Sequence, residues 1–113
     1  MHELALAREI VAIIEQAAST QSIHRILSIR VALGAFGHVE ESALRFAFLA
    51  AANDTIAAGA ALEISRTAGQ ARCQECLNTV TLESRFSPCP RCGSVKLEVL
   101  SGSELRVVDM EVE

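Results

Sequence analysis

Four cysteines constrain this chain more than any other feature. They form two pairs, Cys73 with Cys76 and Cys89 with Cys92, with two residues inside each pair and twelve between the pairs. A two-residue spacing lets a short knuckle turn both thiolates toward one point, with backbone N–H groups near the sulfurs. Two knuckles at the ends of a short hairpin complete a tetrahedron, at Zn–S distances of about 2.3 Å. In "CPRCGS", Pro90 fixes the turn and Gly93 can take the positive φ that such a bend wants. In "CQECLN", Leu77 stands where a glycine would be easier, with Asn78 after it. The intervening "LNTVTLESRFSP" is expected to make two short strands. The pattern predicts structural zinc on Cys73, Cys76, Cys89 and Cys92. A closed four-sulfur site leaves no position for a substrate. A module of about 25 residues cannot fold on its own apolar area, so the metal would supply its folding free energy. The rival readings are a dithiol redox centre, which expects one such pair beside a βαβ unit, and two disulfides, which suit an oxidising compartment.

Compartment and partners are bounded by the rest of the composition. No apolar run reaches the roughly 18 to 20 residues of a spanning helix. The start, "MHELALAREIVAIIEQ", has early acidic residues, no basic region and charges interrupting any apolar stretch, unlike a signal peptide. A cytoplasmic protein is expected, where cysteines serve as metal ligands more often than as disulfides. The formal net charge is −4 and the basic residues are scattered. That argues against nucleic acid and against anionic membranes as partners. Hydrophobic residues make up 50% and aromatics only 4%, so the core must come from Leu, Ile, Val and Ala.

Periodicity then sets the organisation of the 113 residues. Residues 3 to about 19 read as an amphipathic helix with Leu6, Ile10, Ile13, Ile14 and Ala17 on one face. "HRILSIRVALG" alternates as a half-buried strand, with Leu27, Ile29, Val31 and Leu33 inward. "GAFGHVE" is a turn. A second helix is expected over about 40–53, with Leu44, Phe48 and Ala51 inward and Ala47 nearby. "ALEISRT" is a second strand. "ELRVVDMEVE" is a last one, with Val108, Met110 and Val112 on one side. The expected fold is α+β: two helices on a three-stranded mixed sheet, with an inserted zinc-ribbon-like module. Residues 1–69 plus 99–113 would form the main domain and 70–98 the insertion.

The first residues carry a second chemical signal. His at position two obstructs removal of Met1, so the chain would start with an α-amine, the His2 amide and imidazole, and the Glu3 amide. The first four N–H groups of a helix have no intrahelical acceptor. Amine, amide and imidazole nitrogens suit the square-planar preference of Ni(II) or Cu(II). Against this stands a plainer reading, in which Glu3 favours a helix N-terminus and His2 is simply solvated. His24 and His38 read as surface or capping residues, and Glu40 and Glu41 as favouring the start of the second helix. Phe36, Phe46 and Phe48 read as core or interface packing. No Ser–His–Asp pattern and no phosphate-binding GxxxxGK[ST] loop occurs, so an enzyme is not expected. A zinc-ribbon adapter for nucleic acid or a transcription protein is the alternative reading.

Taken in order, "MHEL", "IRVALGAFGHVEESALRFAF", "GAALEI", the two cysteine knuckles and "SGSELRVVDMEVE" resemble the HypA/HybF family of hydrogenase-maturation nickel metallochaperones. The resemblance runs over essentially the whole chain. It implies a nickel-binding domain with a small zinc domain inserted before the last strand. It implies transient Ni(II) cargo, delivered to the large subunit of [NiFe]-hydrogenase with a partner GTPase. Carried over by position, His2 is the nickel ligand through imidazole and backbone nitrogen. Met1, through its amine, and Glu3, through amide or carboxylate, adjoin it. The four cysteines bind zinc. The chain departs from relatives twice. The first knuckle lacks the glycine that commonly follows its second cysteine, and residues 93–113 contain no histidine to complete a nickel site. Which hydrogenase is served, whether urease is a client, and whether the chain forms a homodimer are left open.

Overall fold

The structure is a computed structural model that describes residues 2–113. Helix α1 spans Glu3–Ser19 and α2 spans Glu41–Ala52. Six strands accompany them: β1 Ile26–Gly34, β2 Ala61–Thr67, β3 Gly69–Cys73, β4 Thr79–Leu82, β5 Leu97–Ser101 and β6 Leu105–Val112. They form two three-stranded sheets, ordered β2-β1-β6 and β4-β3-β5. The first sheet is mixed. Ser65 and Thr67 hydroxyls donate to the Val31 and Leu33 carbonyls in step, so β2 runs parallel to β1. Gly34 N–H meets the Glu104 carbonyl and Glu113 N–H the Arg25 carbonyl, so β6 runs antiparallel. Parallel β1 and β2 need a crossover, and α2 supplies it. The second sheet is antiparallel throughout, with Ala71 opposite Val80 on one side and Val99 on the other.

The chain divides into two compact units. The first runs to Val31 and takes up Val39–Ser65 and Arg106–Glu113; the second is Ala32–His38 with Arg66–Leu105. In the first unit α1 and α2 pack on each other. Ala7, Ile10, Val11 and Ile14 of α1 and Leu44, Ala47, Phe48 and Ala52 of α2 are buried, as are Ile26, Ile29 and Val31 of β1. Each helix is rotated slightly from the sequence expectation. Ile13 is exposed while Ala7 and Val11 are buried, and Ala52 is more deeply buried than Ala51. Small alanines allow close approach of the helix axes, which the apolar pattern alone does not register. Phe46 is 75% exposed and therefore not core. In β1, Ile26 is buried and Leu27 only half-buried. On β6, Val108 and Val112 are exposed and Met110 is half-buried, in keeping with an edge strand. The Arg30 guanidinium bonds both Asp109 carboxylate oxygens across the β1–β6 pair. Asp109 is thereby held below the usual carboxylate range, first by that hydrogen bond.

The stretch between the cysteine pairs makes one strand, β4, where two were expected. Beyond Leu82 the chain turns on Ser84, whose carbonyl accepts the Ser87 N–H and whose hydroxyl accepts the Phe86 N–H. Pro88, which has no N–H, then follows and cannot join a ladder. The partners of β4 come from outside the stretch, as β3 and through it β5.

Candidate metal centres

The two knuckles repeat one hydrogen-bond pattern. Leu77 N–H donates to the Cys73 carbonyl at 3.0 Å, as Gly93 N–H does to Cys89 at 2.8 Å. Cys73 N–H donates to the Asn78 carbonyl at 2.9 Å, as Cys89 N–H does to Ser94 at 2.8 Å. Each knuckle closes with a residue of positive φ, Leu77 at 64° and Gly93 at 79°. The Leu77 backbone pays the left-handed penalty of about 1–2 kcal/mol that glycine avoids. Its side chain is exposed and contributes little packing. Leu77→Gly is therefore expected to keep the metal and raise the thermal midpoint by a few degrees, measured by calorimetry of the metal-loaded chain.

The knuckles bring together all four sulfurs named from the sequence. Their ligand atoms lie within 4.8 Å of one another, with Cys73 and Cys89 buried, Cys76 half-buried and Cys92 exposed. The Cys73–Cys92 and Cys76–Cys89 sulfur separations are 3.5 and 3.8 Å. The edge of a ZnS₄ tetrahedron is about 3.8 Å at Zn–S distances near 2.3 Å. The cysteines are free thiols, not disulfides. Hydrogen bonds favour thiolate at the first knuckle. The Asn78 backbone amide and then its side-chain amide pull Cys76 down to about 6. The Cys76 N–H does the same for Cys73, at 3.4 Å. At Cys92 the Ser94 amide lowers the value, but the neighbouring sulfurs and burial outweigh it and push the thiol up to about 12. A cluster that cannot ionise fully by itself calls for a cation at its centre. Soft thiolates at tetrahedral spacing suit zinc. Bound there, zinc would tie the two knuckles together, with Cys73, Cys76, Cys89 and Cys92 as its ligands. Sequence spacing named these four; Asn78, a donor to the Cys76 sulfur, was legible only as a turn residue.

The start of α1 holds the other residues named from the sequence. Met1 lies outside the described residues. His2 is the N-cap, and its carbonyl accepts the Leu6 N–H at 2.9 Å. The His2 side chain makes no capping bond, and the Glu3 carboxylate accepts from its own backbone N–H. The His2 imidazole is exposed, with Nδ1 3.9 Å from Glu3 Oε2. Glu3 is only 7% exposed, the one buried charged side chain among the described residues. Its Oε2 accepts the Glu40 N–H at 3.2 Å. That backbone bond is the first cause of a lowered Glu3 pKa, with the His2 charge a smaller one. Glu40 itself is the N-cap of α2, its carboxylate accepting from the Ser42 N–H and hydroxyl. The two helix starts are thus joined through Glu3, a link between residues 37 apart that sequence reading did not see. His24 is exposed before β1, and His38, at φ 52°, lies beside the Phe86 ring at 5.7 Å. Among the described residues, the four cysteines are the only cluster of three or more side-chain ligands.

A family model described as hydrogenase/urease nickel incorporation, metallochaperone, hypA matches residues 1–112. The chain belongs to the HypA family. The hydrogenase maturation factor HypA of Methylocella silvestris is 46% identical over 113 residues, covering all of both chains. The HypA of Rhodopseudomonas palustris strain BisB5 is 45% identical over the same span. The solution structure of the Ni metallochaperone HypA from Helicobacter pylori shares the fold, with a TM-score of 0.72 at 22% identity. It covers 99% of this chain and 97% of that one. HypA proteins are nickel metallochaperones of hydrogenase and urease nickel incorporation rather than catalysts. The nucleic-acid adapter reading gives way to this membership.

Proposed function

We propose that this chain carries Ni(II) at its first three residues and delivers it to the large subunit of [NiFe]-hydrogenase during maturation, in the cytoplasm and together with a maturation GTPase. In this reading the first unit is the nickel-binding domain. The second is the zinc-binding domain, with structural zinc on its four sulfurs.

The observation that carries the nickel assignment is the anchoring of Glu3. Its carboxylate is held by the Glu40 amide, which fixes the first turn of α1. The Glu3 amide sits at the first helical position, where N–H groups lack an intrahelical carbonyl acceptor, and it donates to its own carboxylate, a bond that metal binding would replace. The His2 imidazole stays exposed beside it. Glu3 then enters the nickel site through its amide, His2 through amide and imidazole, and Met1 through its amine. Four nitrogens in a plane suit Ni(II) and disfavour zinc. Such a site exchanges its cargo easily, because reprotonation of its nitrogens releases the metal. Handover also needs a protein surface. Leu4, Ala43, Phe46 and Ala50 line an apolar groove beside Glu3, and exposed apolar patches mark interaction surfaces.

Calorimetric titration with Ni(II) at neutral and mildly acidic pH tests the reading. Each nitrogen proton released on binding lowers the affinity about tenfold per pH unit of acidification. A loss of at least about 100-fold per unit is expected if two or more protons leave. Equal affinities at the two pH values would remove nitrogen ligation.

A further inference from the structure

One aromatic side chain in the core of the second unit comes from far outside the cysteine-bearing stretch. Phe36 follows the end of β1 and is 1% exposed. It clusters with Ala71, Cys73, Val80, Leu82 and Cys89, and Ala35, Cys76 and Leu97 pack against the same cluster. Three of the four sulfur-bearing residues therefore belong to or border one apolar core with this ring. The backbone around Phe36 is fixed at both sides of the cysteine stretch. Ala35 N–H donates to the Thr67 carbonyl and Phe36 N–H to the Gly102 carbonyl, each at 2.8 Å.

The slot for the ring is made by glycines. A Cβ placed on Gly69 would lie 2.2 Å from the Phe36 ring, and one on Gly102 would lie 2.9 Å from it. These glycines stand at the entry to β3 and just beyond β5. Both ends of the cysteine stretch thus close onto the same ring.

We propose that Phe36 is a positioning residue of the four-sulfur centre: its ring seats the β3 backbone and the second knuckle so that Cys73 and Cys89 face a common metal. The proposal rests on the zinc reading above. A core this small has no neighbour to replace an aromatic ring, and large-to-small changes in tight cores are not healed by relaxation. Removing the ring leaves the two buried sulfurs with a looser wall and opens them to water. The metal-holding unit then needs residues 32–38 as well as the knuckles, and the segment 70–98 by itself is incomplete.

The test uses the full zinc-loaded chain and the chromophoric chelator 4-(2-pyridylazo)resorcinol, which reports zinc transfer. Phe36→Ala is expected to release zinc at least about 10-fold faster than the parent. Phe36→Leu, which refills most of the volume, falls between. Helical circular dichroism should remain, because α1 and α2 lie in the other unit. In Co(II)-loaded protein the d–d bands should broaden or shift in Phe36→Ala, which a general loss of stability alone would not produce. Gly69→Ala supplies the independent arm, since its Cβ meets the Phe36 ring and nothing nearer. It should speed zinc loss by itself yet add nothing on top of Phe36→Ala, because the ring it displaces is gone. It also keeps the proposal testable if Phe36→Ala does not fold. Parent-like release from Phe36→Ala, or strictly additive effects of the two changes, overturns the positioning role alone. Failure of the parent chain to hold zinc would instead remove the zinc reading and this inference with it.

Discussion

Chelation of zinc is expected to unfold the second unit and leave the helical unit folded. The buried side chains of the second unit's core are Phe36, Ala71, Cys73, Val80, Leu82 and Cys89, and two of these belong to the four-sulfur cluster. Its sheet has three strands, of which β4 has four residues and β3 and β5 have five each. Sheets that small are marginal without further support. Structural zinc in a four-cysteine site contributes about 10–16 kcal/mol of apparent binding free energy at pH 7, which for small metal domains is folding free energy. Without it, four sulfurs within 4.8 Å of one another have no cation to join them, and the two knuckles lose the tie between them. Hydrogen exchange read by mass spectrometry separates the units. After chelation, residues 66–105 should exchange within seconds, while α1 and α2 keep their protection. Persistent protection across β3, β4 and β5 would show that apolar packing is sufficient and that zinc is incidental to the fold. Cys73→Ser should reproduce the chelated pattern, since Cys73 is the cysteine buried most deeply in the shared core.

How much of this was legible in the sequence depends on how local each feature is. The sulfur cluster was legible because its geometry is set within the six residues of each knuckle, where the cysteines, Pro90 and Gly93 already define the turn. Helix α1 was legible to its ends, Glu3 and Ser19, because amphipathic periodicity is a local property. The mixed sheet was legible as the simplest layer that two helices and three strands can form, with the parallel β1–β2 pair bridged by α2. What the sequence did not reveal is non-local. The Glu3–Glu40 bond joins two helix starts, and nothing in the spacing of either segment indicates that they meet. Phe36 reads as core or interface packing, but its membership of the cysteine-bearing core depends on which strands flank it. Phe46 reads as packing, yet its ring is exposed next to Leu4 in an apolar groove. Periodicity can assign a face to that residue but cannot say whether the protein itself covers that face. The second short strand failed for a local reason, since Ser84 closes a turn immediately after Leu82.

The largest expected effect on cargo comes from two changes at the first residues that leave the fold alone. His2→Ala removes the imidazole while keeping every backbone nitrogen. The His2 side chain makes no capping bond to α1 and is half exposed, so zinc content and thermal midpoint should stay near those of the parent. Loss of a residue that merely orients a metal ligand typically costs about 10–100-fold in affinity. Loss of the ligand itself should exceed that, so tight nickel binding disappears from the calorimetric trace. The second change touches no side chain. A short Gly-Ser extension before Met1 moves the α-amine out of reach and should weaken nickel binding as severely as His2→Ala. Glu3→Gln is the contrasting case. A glutamine carbonyl can still accept the Glu40 N–H, and the residue-3 amide is unchanged, so most of the nickel affinity should survive. Three titrations therefore divide the candidates. Loss with His2→Ala and with the extension, but not with Glu3→Gln, assigns the cargo to amine, amide and imidazole nitrogens. Loss with Glu3→Gln equal to that of His2→Ala would move the ligand to the Glu3 carboxylate. Full binding by the extended chain would take the amine out of the site.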